Sequence, residues 1–275
     1  MTDLDSGTAR VSLARAQEVL EAQLAAEGAD AGRTGEDLFA VTSLLDDSIG
    51  LRRALTDPAR EGAAKAAFVR AVLGGKVSPA AVETVAALAT GRWGASRDLA
   101  DACEQLAVAA VAAQAERSGH LDALEDELFR FSRTVAGDPA LRDALADRTA
   151  PAANRAALVS RLLLGRATPE AVQLARRAAS SPRGVRAERL LEEFVTVVAR
   201  RREQMVAHVV SARPLSQEHH DRLSALLSRQ YGRPVRLNVD VDPELVGGLR
   251  VSIGDDVIDG AVSTRLAEAR RRLAG

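Results

Sequence analysis

The sequence predicts an α+β protein, predominantly α, with two tandem helical-bundle repeats followed by a small C-terminal α/β domain whose sheet is mostly antiparallel. Three observations predict this. Of 54 alanines in 275 residues, 47 lie in residues 1–200 and only 7 in 201–275. Alanine is the best helix former and loses no side-chain entropy on ordering. Shifted by 90 positions, residues 36–82 align on 126–172 without a gap, with 16 identities in 47 positions. Beyond Met205 the apolar residues stop recurring at helical spacing and begin to alternate, as a half-buried strand requires.

The elements follow in order. Residues 9–26 place Leu13, Ala16, Leu20 and Leu24 at helical spacing, and a glycine-rich loop (Gly28, Gly32, Gly35) comes next. This N-terminal helix and loop (1–30) is expected to pack on a bundle. Repeat one spans 31–117 and repeat two 118–204. Their matched pairs include Leu38/Leu128, Phe39/Phe129, Leu55/Leu145, Val69/Val159, Gly75/Gly165 and Pro79/Pro169. In each, Ser78-Pro79 or Thr168-Pro169 supplies a capping oxygen and then a proline at the first helical position. Gly75 and Gly165 fall where a preceding helix needs a left-handed terminator. The helix before Gly75 carries Ala64, Ala67, Phe68, Ala71 and Val72 on one face, and its copy carries Ala157, Leu158, Arg161 and Leu162. That stripe is expected to face the core. A long helix starts at Ser96, Asp138-Pro139 opens another, and 186–203 closes repeat two. In the tail (205–275), strands are expected at 206–210, 235–241, 249–253 and 257–258, with a helix from Ser216 to Tyr231 and a last one from Ser263. Consecutive strands joined by turns are expected to pair antiparallel.

Composition narrows the function. Net charge is −1, whereas nucleic-acid binders carry a basic excess. The single Cys103 precludes an internal disulfide and fits a reducing compartment. The longest apolar run, 106–113, is too short to cross a bilayer, and residues 1–10 lack the apolar core of a signal peptide. A cytoplasmic protein is expected.

A search for chemistry finds none. Gly74-Gly75-Lys76-Val77-Ser78 has the wrong spacing for a phosphate-binding loop and reads as a helix end and a cap. His219 and His220 are adjacent, so on a helix they point about 100° apart and cannot share a metal ion facially. Asp255, Asp256 and Asp259 are read as turn residues rather than cation ligands. Cys103, in an alanine-rich helix without a nearby base, reads as a small buried hydrophobe. Arg200, Arg201 and Arg202 close a helix, where cations complement its dipole. No catalytic, cofactor or metal site is expected. The residues alone lead to a scaffold whose helical surfaces receive partner helices.

The tail also carries a recognisable pattern. Residues 245–264 read L-V-G-G-L-R-V-S-I-G-D-D-V-I-D-G-A-V-S-T. With Gly247, Gly248, Gly254, Asp255, Ile258, Asp259 and Gly260, this stretch resembles the C-terminal signature of the delta subunit of bacterial F-type ATP synthases, the family of the mitochondrial oligomycin-sensitivity-conferring protein. Ala261 stands where the family usually has serine. The chain exceeds the usual family length by about one 90-residue repeat, and is similar to an actinobacterial type with a duplicated helical domain. The resemblance implies a non-catalytic stator component. Its helical domain would receive N-terminal helices of alpha subunits, and its C-terminal domain the far end of the b-subunit stalk. The complex would hold it at the cytoplasmic face of the cell membrane only indirectly. Under that resemblance Leu13, Leu20 and Leu24, beside a long helix, are the candidate alpha-binding groove. A helical-repeat adaptor unrelated to ATP synthase is the alternative reading.

Overall fold

The computed structural model describes residues 7–203, 206–231, 235–242, 245, 248–253 and 256–259. The chain divides into two compact units, Met1–Ala199 and Arg200–Gly275.

Unit one is helical throughout: α1 (Gly7–Ala25), α2 (Ala31–Asp47), α3 (Ile49–Thr56), α4 (Gly62–Leu73), α5 (Pro79–Thr90), α6 (Ser96–Arg117), α7 (Leu121–Gly137), α8 (Pro139–Ala146), α9 (Ala152–Leu163), α10 (Pro169–Ser180) and α11 (Ala187–Glu203). The unit boundary falls within the last turns of α11. Local chemistry sets the helix ends. Asp30, Ser48 and Asp138 accept hydrogen bonds from backbone N–H groups of the first turns of α2, α3 and α8, satisfying donors that a helix start leaves free.

The 90-residue repeat holds at the level of single hydrogen bonds. Ser78 N–H donates to Asp37 Oδ2 at 2.7 Å, and its copy Thr168 N–H donates to Glu127 Oε2 at 2.7 Å. Gly75 and Gly165 both terminate helices with φ near +70° (72° and 67°). Lys65 and its copy Arg155 are both buried. Arg155 donates to the carbonyls of Ala179, Asp147 and Ala150, where chain turns leave acceptors unpaired.

The same offset shows which helices make a bundle. Shifting α1 by 90 residues lands on α6, and shifting α6 lands on α11. Accordingly α1 packs on α5, and α6 packs on α10. Helix α6 also touches α1, α2, α3 and α5 of repeat one and α7 of repeat two. It therefore closes the first bundle and opens the second. Sixteen of its 22 residues are buried, from Asp98 to Ala115. A helix enclosed on all sides is what an alanine-rich, apolar sequence can tolerate.

The stripe expected to face the core turns outward. The buried face of α4 is Lys65, Ala66, Val69 and Leu73, while Ala64, Ala67, Phe68 and Ala71 are exposed and Val72 is half-buried. On α9 the buried residues are Arg155 and Val159. Ala157, Arg161 and Leu162 are exposed and Leu158 is half-buried. The reason is that α4 is apolar nearly all round, so periodicity gives little contrast. The side chain that decides its rotation is a long cation, which buries its aliphatic stem.

Unit two carries β1 (Val206–Ser211), α12 (Gln217–Tyr231), β2 (Arg236–Val241), β3 (Leu249–Ile253) and β4 (Asp256–Asp259). The sheet order is β2-β1-β3-β4. Strand β1 pairs parallel with β2 and antiparallel with β3, and β3 pairs antiparallel with β4. Two of three pairings are antiparallel, but the consecutive strands β2 and β3 do not pair. The helical crossover through α12 sets β2 parallel beside β1, and the chain then passes to the free edge of β1. Ala207, Val209, Leu227, Val235, Val251 and Ile253 form the core. The expected terminal helix from Ser263 lies outside the described residues.

The close approach of α2 and α6 rests on Gly35. A Cβ there would meet Val111 Cγ2 at 2.7 Å and the Ala107 carbonyl oxygen at 3.3 Å. Gly35→Ala is expected to destabilise the chain by roughly 1–3 kcal/mol of overpacking, despite a helix-propensity gain of about 1 kcal/mol. Chemical denaturation midpoints measure the difference, and an unchanged midpoint refutes the tight contact.

Candidate docking surfaces and the buried junction

The two repeats meet at a buried ionic cluster. Arg183, in the loop between α10 and α11, is 6% exposed at its side chain. Its Nε and Nη2 grip Asp46 of α2 at 2.5 and 3.0 Å. Its Nη1 reaches Asp101 and Glu104 of α6 at 2.8 and 2.9 Å. Arg177 of α10 adds a contact to Glu104 at 3.3 Å, a hydrogen bond to Ser43 and a stacking position 5.0 Å over the Phe39 ring. Phe194 of α11 packs against the same ring at 6.4 Å. Burial opposes the charge on Arg183, but the Asp46 hydrogen bonds and the charges of Glu104, Asp101 and Asp46 outweigh it and hold the guanidinium above its usual pKa. Burial pushes the Glu104 carboxyl up, against the pull of Arg183 and Arg177. Removing one member of such a buried pair typically costs about 3–5 kcal/mol.

Cys103 is fully buried on α6, and burial pushes its thiol up to about 11. His219 and His220 sit on the exposed part of α12, bonded to Ser216 and Asp221. Among the described residues no three His, Cys, Asp or Glu side chains converge as a metal site. No described helix is long and apolar enough to cross a membrane.

The surfaces are more informative. On α1, Leu20 and Leu24 are buried and Leu13 is half-buried. The first two thus belong to the core between α1 and its own bundle. Outward, α1 presents Val11, 70% exposed, with Ala14 and Ala22, among the exposed charges of Arg10, Arg15 and Glu18. The faces of α4 and α9 add Phe68 at 42% and Leu162 at 39% exposure. In unit two, Gly248 adopts φ +91° immediately before β3, a conformation that favours glycine. Ile258 and Asp259 lie on β4, paired with Val251 and Arg250. Gly247, Gly254, Asp255 and Gly260 lie outside the described residues.

Helical bundles and a mixed four-stranded sheet are the frame in which the relatives of the chain can be read. The model of the ATP synthase delta (OSCP) subunit family matches residues 107–273. The chain belongs to that family. An ATP synthase subunit delta of Kineococcus radiotolerans is 76% identical over 99% of both chains. Those of Streptomyces coelicolor and Beutenbergia cavernae are 47% and 46% identical over 98% of this chain. A solved chain of the Toxoplasma gondii mitochondrial ATP synthase hexamer covers 61% of this chain at 19% identity and TM-score 0.33, too slight a likeness to add to the assignment. The matched span begins inside α6 and takes in α7–α11 and the sheet. Repeat one lies largely before it, yet the Kineococcus relative extends across it.

Two outcomes test these placements. Leu20→Ala is expected to cost about 2–5 kcal/mol in stability, read by denaturation; a stable variant would return Leu20 to the surface. Cys103 is expected to resist alkylation at pH 8 in the folded chain and to react at once in denaturant, as followed by mass spectrometry.

Proposed function

We propose that this chain is the stator piece that joins the catalytic head of a proton-translocating ATP synthase to its b-subunit stalk and resists rotor torque. Family membership, with a relative that matches over the whole chain length, carries the reading. In this reading the helical unit receives N-terminal helices of alpha subunits, and unit two engages the far end of the b subunit, on the cytoplasmic face of the membrane.

The candidate groove lies along α1 and α5. Leu20 and Leu24 support it from beneath, Leu13 lies at its edge, and Val11 and Ala14 offer apolar surface for an amphipathic helix. Such partners anchor through i, i+3, i+4 and i+7 residues, and Val11 with Ala14, flanked by Arg15 and Glu18, is the apolar surface that α1 offers them.

Two measurements test the proposal. Membranes from cells lacking the chain should lose proton-driven ATP synthesis while the detached head still hydrolyses ATP; preserved coupling would refute the stator role. In calorimetry, an alpha N-terminal peptide should bind the full chain, and Val11→Asp with Ala14→Asp should weaken it at least tenfold, about 1.4 kcal/mol, at an unchanged melting temperature. Equal affinity would remove α1 from the groove.

A further inference from the structure

The loop from Ser181 to Arg186 sits differently from its copy 90 residues earlier. In repeat one the corresponding loop is held by its own bundle: Ser12 Oγ accepts from Arg92 N–H at 3.0 Å, and Trp93 Nε1 donates to the Leu88 carbonyl at 3.0 Å. In repeat two the residue at the place of Trp93 is Arg183, and it reaches into the other repeat. It is the one described non-glycine residue with positive φ, at +50°, a backbone conformation that a side chain disfavours. The strain persists because both ends of the residue are held. Arg97 of α6 donates to its carbonyl oxygen, while its guanidinium is fixed by Asp46, Asp101 and Glu104.

We propose that Arg183 is a latch that clamps the α10–α11 corner of repeat two onto α2 and α6, and that its engagement sets how rigidly the two repeats move as one body. Asp101 and Glu104 are buried in the helix that both repeats share, so they need a cation, and Arg183 and Arg177 of repeat two bring it. Asp46 lies at the solvent edge of the cluster, 30% exposed, and is the point where the latch can be opened with least harm to the core. The latch stands independently of the stator reading, because its test concerns motion within the isolated chain.

Hydrogen exchange on the full-length protein tests it. Arg183→Ala is expected to lower protection at least tenfold in the first turns of α11 and the last turns of α2, leaving α4 and α5 unchanged. Arg183→Gly accommodates the positive φ but removes the guanidinium, and should match Arg183→Ala. Asp46→Ala, which spares the core should Arg183→Ala fail to fold, should show the same pattern at smaller amplitude. Wild-type exchange in these segments for Arg183→Gly and Asp46→Ala would overturn the proposal. So would loss of protection spread evenly over α1–α5, or protection retained by Arg183→Gly alone.

Discussion

The helical unit depends on one helix being enclosed by two bundles. Helix α6 must present a packing face in nearly every direction, and this constraint explains its composition. Alanines let neighbours approach closely; Ala107, Ala109, Ala110, Ala112, Ala113 and Ala115 are all buried. Gly35 on α2 brings one neighbour closer still, against Val111. Where α6 carries acids instead, at Asp101 and Glu104, repeat two supplies arginines. An unpaired carboxylate there would cost several kcal/mol. Packing and electrostatics thus make the same demand: both repeats must be in place for α6 to be satisfied.

Much of this was legible in the residues, and the misses have physical causes. Proline and capping oxygens at Ser78-Pro79, Thr168-Pro169 and Asp138-Pro139 marked helix starts because their chemistry is local. Gly75 and Gly165 marked helix ends for the same reason. The outward rotation of α4 was not legible, since alanine on all sides erases the periodic signal and the buried residue is a lysine. The sharing of α6 left almost no identities with α1, although the 90-residue offset in element positions would have exposed it. The parallel β1–β2 pair follows from a long crossover, which a pairing rule for turn-linked strands overlooks. Arg183 was invisible because its partners lie 79 and 137 residues away.

Of the candidate site, the signature around Gly248 pointed to the family, while the leucines singled out on α1 lie on or beside its inner face. A core leucine and a docking leucine share the same spacing, and only the packing partner separates them. The family's matched span of 107–273 corresponds to one bundle plus the sheet. Repeat one lies largely outside that span and enlarges the helical surface.

Because α6 ends one bundle and begins the next, the duplication contributes five new helices, not six. The repeats have no linker between them at which a protease, a recombination event or a cloning boundary could part them cleanly. A cut in the loop before α6 or in the loop after it leaves one whole six-helix bundle, but no single cut leaves two, because α6 belongs to both.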